Sequence, residues 1–276
     1  MNTQLFWQKY QHAEKNFSRV QLTQPDFYQT NLSGLNFSHS HLDQALLIWA
    51  DISGANFTGT SLKHSVGIWL QGLWTDLTQA DIHQANWSCA NLTAAKLTQA
   101  TFSNTNLTGA ILREVSAQDA KFSKANCWGV WATDADFSSA YLSQSKWATA
   151  TLARSQWVNA DAGWSDFSQV AGISANFTAA NLEGSNLSKA NFTDTCFSKA
   201  DLTAANLHGC CLRNANFQNT DLRGADLTNA DLSGANLTGT NLKGADLTNT
   251  NMTDVIGLGD KPHKSTEWMR SIRARS

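Results

Sequence analysis

Proline is almost missing from this 276-residue chain; its two prolines, Pro25 and Pro262, leave the long stretch between them uninterrupted. That stretch has no Pro-, Gly- or Ser-rich linker, so one architecture is expected to run through it. Charge is sparse as well, at 15% of residues with a net charge of −2, which gives no bulk bias toward nucleic acid or membrane. The five cysteines, Cys89, Cys127, Cys196, Cys210 and Cys211, are odd in number and lack paired spacing. This argues against a disulfide framework and against a zinc site. No apolar run reaches the length of a membrane span. Met1–Gln8 holds neither a basic n-region nor an apolar core, so no secretory signal is expected and the cytosol is the expected compartment. A nucleophile elbow, a phosphate loop and a metalloprotease motif are all missing, so neither an enzyme nor a cofactor is expected.

What the chain does have is a beat of five. Positions numbered in 2 or 7, from Phe17 to Met252, nearly all hold Leu, Phe, Ile, Met or Trp. Two residues earlier stands a small residue, usually Ala, and the position between is usually Asp or Asn. The frame holds over roughly 48 repeats. A spacing of five fits neither a helix nor a strand. It fits a chain that turns a corner every five residues, with two side chains inward on each side. Phe17, Phe37, Phe57, Phe137, Phe177, Phe197 and Phe217 share one class modulo twenty, so a four-sided coil would stack these rings on one face. About twelve such coils would make a rod of roughly 55–60 Å. Where Gly72, Ala117, Ala132 and Gly172 replace the large residue, Leu70, Val115, Val130 and Val170 replace the small one. That exchange is expected of a close-packed interior. Gly67 and Ala162 lack it, so local distortion is expected there. Trp87, Trp147 and Trp157 fall at inward positions, and so do Cys127 and Cys210.

Ala225-Asp226-Leu227-Thr228-Asn229 and Ala230-Asp231-Leu232-Ser233-Gly234 carry the Ala-(Asp/Asn)-Leu-x-x pattern. Over 17–256 the chain resembles the pentapeptide repeat family. The resemblance implies an all-β fold, a right-handed quadrilateral β-helix. Residues Tyr10, Glu14 and Phe17 are similar to the entry segment of cyanobacterial members, often Tyr-x-x-Gly-Glu-Arg-x-Phe, with Ala13 and Lys15 in place of its Gly and Arg. An open solenoid needs covered ends. Residues 1–16 are therefore expected to form an N-terminal helical cap, with a helix over 3–15 presenting Leu5, Phe6 and Tyr10. Residues 257–276 are expected to be a basic tail with a short helix from Ser265. In that helix Trp268, Met269 and Ile272 share one side, for capping or for pairing with a second copy, beside Arg270, Arg273 and Arg275.

The recurrent Asp and Asn are expected to bond turn amides rather than to act in catalysis. His64 and His83, one coil apart, lack the further ligands that a metal would need. The outward positions are mostly Ser, Thr, Gln, Asn and Gly, with one departure. Ile48 and Trp49 precede Ile68 and Trp69 by one coil, Leu73 and Trp74 lie around the next corner, and Trp128 and Trp131 fall on a neighbouring strip about three coils along. Such a cluster reads as a partner-binding surface, or else as side chains folded over the gaps at Gly67 and Gly72. Exposure of Trp49, Trp69 and Trp74 separates the two.

The leading expectation is a non-enzymatic scaffold or regulator that docks a protein partner, with a homodimer through a terminus as a further possibility. Some members of the family are DNA mimics that bind DNA gyrase. That mechanism needs a strongly negative surface, whereas the outward positions here mix acids such as Asp43, Glu114 and Glu183 with more numerous bases such as Lys63, Arg113 and Arg223. It is the alternative reading. Direct nucleic-acid binding is not expected. Membrane-surface contact through Trp and the basic tail is a weaker third reading.

Overall fold

The computed structural model describes residues 1–258. It divides into two compact units, Met1–Tyr141 and, from Leu142 onward, a second unit. Each unit is built the same way. Parallel bridges pair the Asx position of one repeat with the residue twenty further on, as in Asn16 with Asn36 and Leu46 with Val66 in the first unit, and Asn176 with Cys196 and Asp201 with Asp221 in the second. Twenty residues therefore make one coil of four sides, and the fold is the right-handed quadrilateral β-helix. Among the described residues no helix is long and apolar enough to cross a membrane.

Each corner is a β-turn. In the turn Leu47–Ala50, the N–H of Ala50 donates to the carbonyl of Leu47 at 3.0 Å. The third residue of each turn is left-handed, as type II turns require; Trp49 has φ 58° and Gly54 φ 64°. The Asx residue before the inward side chain accepts the N–H two positions on. Asp51 does so from Ser53 at 2.9 Å and Asp201 from Thr203 at 2.9 Å. The expected turn-building role of these residues is what the geometry shows.

The interior is close-packed and aromatic. Phe17, Phe37 and Phe57 stack in the first unit with centroids 5.6 and 5.2 Å apart. Phe177, Phe197 and Phe217 stack in the second at 5.3 and 5.1 Å. Trp87, Trp147 and Trp157 are fully buried, and each indole N–H donates to a serine hydroxyl: Ser65, Ser145 and Ser155, at 3.0, 2.8 and 2.7 Å. A small inward residue thus serves twice, leaving room for the ring and satisfying its one polar atom.

Gly67 and Ala162 are not distorted, contrary to the sequence expectation. Gly67 donates to the Asn86 carbonyl at 2.8 Å and Ala162 to that of Asn181 at 2.8 Å, as regular positions do. The volume missing at Gly67 is supplied from the next coil, because a Cβ there would meet the Trp87 ring at 2.9 Å. Gly172 is filled the same way by Phe192, with Val170 beside it, and Gly72 is closed by Leu92 and Ile52. Compensation therefore runs between coils as well as within a repeat.

Helix α1, Thr3–Gln11, is shorter than the expected 3–15. Asn2 caps it by accepting the Leu5 N–H at 2.8 Å, and it ends before Ala13, which is left-handed at φ 60°. Phe6 is buried against Phe17, Phe27 and Phe37, and the Tyr10 hydroxyl donates to the Asn31 carbonyl at 2.8 Å. Leu5 faces solvent instead; Trp7 takes the inner role beside Phe6, edge-on to Phe27 with centroids 6.1 Å apart. Trp268, Met269 and Ile272, with the basic tail around them, lie outside the described residues.

Candidate interaction surface

The first unit carries the aromatic departure on its outer faces. Trp49, Trp69 and Trp74 are 51%, 46% and 66% exposed. All three sit at the left-handed corner position, with φ of 58°, 59° and 55°. Backbone sterics disfavour any side chain bulkier than Asn there. The rings of Trp49 and Trp69 stack with centroids 5.4 Å apart and planes 9° from parallel. The gaps at Gly67 and Gly72 are filled from inside, so these indoles do not repair the core.

The bridges fix which candidates stand together. Leu46 pairs with Val66, so Ile48 and Trp49 lie directly over Ile68 and Trp69. Leu73 and Trp74 follow around the next corner, with Gln71 between; its side chain donates to the Trp69 carbonyl at 3.1 Å. Trp128 belongs to the same strip as Ile48 and Ile68, not to a neighbouring one, because the bridges Val66–Asn86, Asn86–Asn106 and Asn106–Asn126 run straight to it. Ser88 and Thr108 stand between, so Trp128 is separate from the Trp49–Trp69 cluster. Trp131 lies on the adjoining face below Ile111, with the Arg113 guanidinium 5.4 Å from its ring centre. The eight candidate residues therefore form two groups: Ile48, Trp49, Ile68, Trp69, Leu73 and Trp74, and then Trp128 with Trp131.

Sequence reasoning missed three members of the larger group. Leu46 and Val66 hold Asx positions, where a side chain was assumed to be turn machinery, and both are half-buried on the outer face. Tyr28, half exposed, precedes Ile48 in the same strip through the Asp26–Leu46 bridge. Its number differs from Ile48 by twenty, which was the available signal. The second unit also exposes Trp164 at a left-handed corner, its ring lying on Gly184, where a Cβ would meet it at 2.8 Å.

Among the described residues no set of His, Cys, Asp and Glu has the arrangement to hold a metal. His64 and His83 are joined by a backbone bond of 3.0 Å. Burial pushes the Cys210 thiol up to about 12 and the Cys127 thiol higher still, so both remain protonated and inert. Asp43 does lie beside Lys63, but it accepts that residue's backbone N–H at 3.1 Å, while the ammonium pairs with Asp81 at 3.3 Å. In the second unit Arg213 pairs with Asp231 at 2.6 Å and Arg223 with Asp221 at 2.8 Å.

Solved structures resemble the chain at low identity. HetL, a pentapeptide repeat protein involved in heterocyst differentiation regulation in the cyanobacterium Nostoc sp. strain PCC 7120, is 23% identical, with a TM-score of 0.31 over 95% of this chain and 100% of that one. QnrB1, a plasmid-mediated fluoroquinolone resistance protein, is 15% identical, with a TM-score of 0.38 over 94% and 98%. The pentapeptide repeat protein Rfr23 of the cyanobacterium Cyanothece 51142 is 33% identical, with a TM-score of 0.30 over 30% and 56%. No curated protein matches the chain. The pentapeptide repeat model fits residues 16–51, 30–66, 75–114, 103–138, 173–209 and 215–254, well over half of the sequence. With the five-residue frame and four-sided coil that these stretches build, the chain belongs to the pentapeptide repeat family.

Proposed function

We propose that the protein is a non-enzymatic scaffold that binds a protein partner through the Trp/Ile surface of its first unit. The observation that carries this reading is the exposure of Trp49, Trp69 and Trp74, the first two stacked on each other, over a core that needs nothing from them. Large aromatics dominate binding energy at protein interfaces, and an exposed cluster of them marks a contact surface. Trp128 and Trp131, with Arg113 over the second ring, would form a separate contact further along. The test is a pull-down from the source organism comparing wild type with a Trp49/Trp69/Trp74 triple alanine variant. One partner, held by wild type and lost by the variant at unchanged circular dichroism, is expected. Equal recovery by both proteins would refute the assignment.

A DNA-mimic reading finds no support in the charge. Asp81, Asp221 and Asp231 each pair with a base, Lys63, Arg223 and Arg213, which breaks up the negative surface that such mimicry needs.

A further inference from the structure

The face of the first unit at 46–49 and 66–69 departs from the repeat in the side chains at its Asx and turn positions and at its corners. Its neighbours Asp26 and Asn86 accept the N–H groups of Tyr28 and Ser88. Leu46 and Val66 stand in the same strip and have no oxygen to offer Ile48 and Ile68. Two tryptophans occupy the same corner on successive coils. Two isoleucines occupy the polar turn position before them. Each departure costs stability, and none fills an interior gap. Departures of this kind gather where a surface has a task.

We propose that this face seats a short amphipathic helix of the partner protein, its aliphatic stripe on Leu46, Ile48, Val66 and Ile68 and its flank against the Trp49–Trp69 stack. This rests on the protein-binding reading above and names the partner's chemistry. Across the rows from 26–29 to 86–89, Asp26 is the sole charged side chain. Nucleic acid and anionic lipid both need bases that are missing here. An extended peptide would need a free sheet edge, but these rows are already bonded to their neighbours; the Trp49 N–H donates to Ile68 at 3.1 Å and that of Trp69 to Ser88 at 3.2 Å. A helix fits. From Ile48 to Ile68 is one coil rise, about 4.8 Å, and side chains at i and i+3 or i+4 of a helix are about 4.5–6 Å apart along its axis.

A phage-displayed library of random peptides of about 16 residues, long enough for four helical turns, provides the probe. Enriched peptides are expected to carry apolar residues at 3–4 spacing, to gain helical circular dichroism on binding, and to lose about tenfold or more in affinity against Ile68→Asp. Val66→Asn, which restores the turn acceptor and so keeps the fold, should weaken them too. Enrichment of alternating or proline-rich peptides, the absence of enrichment, or a dimer in sedimentation that Ile68→Asp dissolves would each overturn the helix assignment. The pull-down separates the two levels of the argument. A Trp-dependent partner that binds through a non-helical segment refutes the helix alone, while Trp-independent recovery refutes the docking surface itself.

Discussion

A left-handed corner accepts glycine freely and every other residue at a cost, so what sits there reveals what the chain gains elsewhere. Gly54 and Gly224 take the conformation with open space around them; Trp74 takes it while 66% exposed. Replacing Trp74 with Gly should therefore raise stability by about 1 kcal/mol, read as a higher urea midpoint at unchanged m-value. A lower midpoint would show that the indole packs as part of the fold and would count against the contact surface. The interior gives the opposite case. Phe177 is fully buried, stacked between Trp157 at 5.4 Å and Phe197 at 5.3 Å. Phe177→Ala should cost about 3–5 kcal/mol, since rings held above and below cannot close the cavity. The inward and outward assignment of both residues was legible from their place in the five-residue frame. The left-handed backbone under Trp74 was not, because a period in side-chain type says nothing direct about φ.

At the level of the coil, the small inward residue links one layer to the layer before it. Thr60, Thr105 and Thr220 donate their hydroxyls to the carbonyls of Phe37, Ile82 and Phe197 at 2.6, 2.8 and 2.6 Å. Cys210 occupies the same place, and its thiol donates to the Leu187 carbonyl at 2.8 Å. Burial pushes that thiol up to about 12, whereas an unfolded thiol titrates near 8.5, an ordinary value. Between those pH values the unfolded chain has lost a proton that the folded one keeps. Its contribution to stability is thus fully present below about 8.5 and declines as pH rises toward 12. Cys210→Thr should keep the hydrogen bond and flatten the alkaline loss by about 1.4 kcal/mol per pH unit in that window, measured by urea melts at several pH values. An unaltered slope would mean that the thiol is not held protonated. The repeat was readable at this scale, including the fourfold coil, from the recurrence of phenylalanine. The distortion expected at Gly67 was wrong for a geometric reason: its neighbour in space is Trp87, twenty residues away in sequence, and the expectation had looked only within the repeat.

For the whole protein, charge bears on the choice between the two proposed protein-binding readings. A DNA mimic presents continuous negative potential, whereas bases such as Lys63, Arg113 and Arg223 interrupt the acids here, and Arg213 pairs with Asp231. The protein should leave gyrase supercoiling unaffected at micromolar concentration and should not relieve quinolone inhibition, in a standard plasmid supercoiling assay. Inhibition at submicromolar protein would reverse the ranking of the two readings.

The sequence alone determined the architecture, because a solenoid is a one-dimensional object and each repeat must satisfy the same local conditions as the next. An inward Leu or Phe, a small residue two places before it and an Asx between them are local demands, so they appear as a period. The proposed interaction surface is different in kind. Leu46 and Val66 look like faults in the Asx position until the bridge between them shows them side by side, and Tyr28 looks like an isolated aromatic until its strip reaches Ile48. Nor does the sequence show whether an outward tryptophan covers a gap or faces solvent. That depended on Trp87 and Leu92 reaching across from the next coil to fill the space at Gly67 and Gly72, which left Trp49, Trp69 and Trp74 outside. Contacts between residues twenty apart decide which side chains are left over, and only the stacked coils bring those residues together.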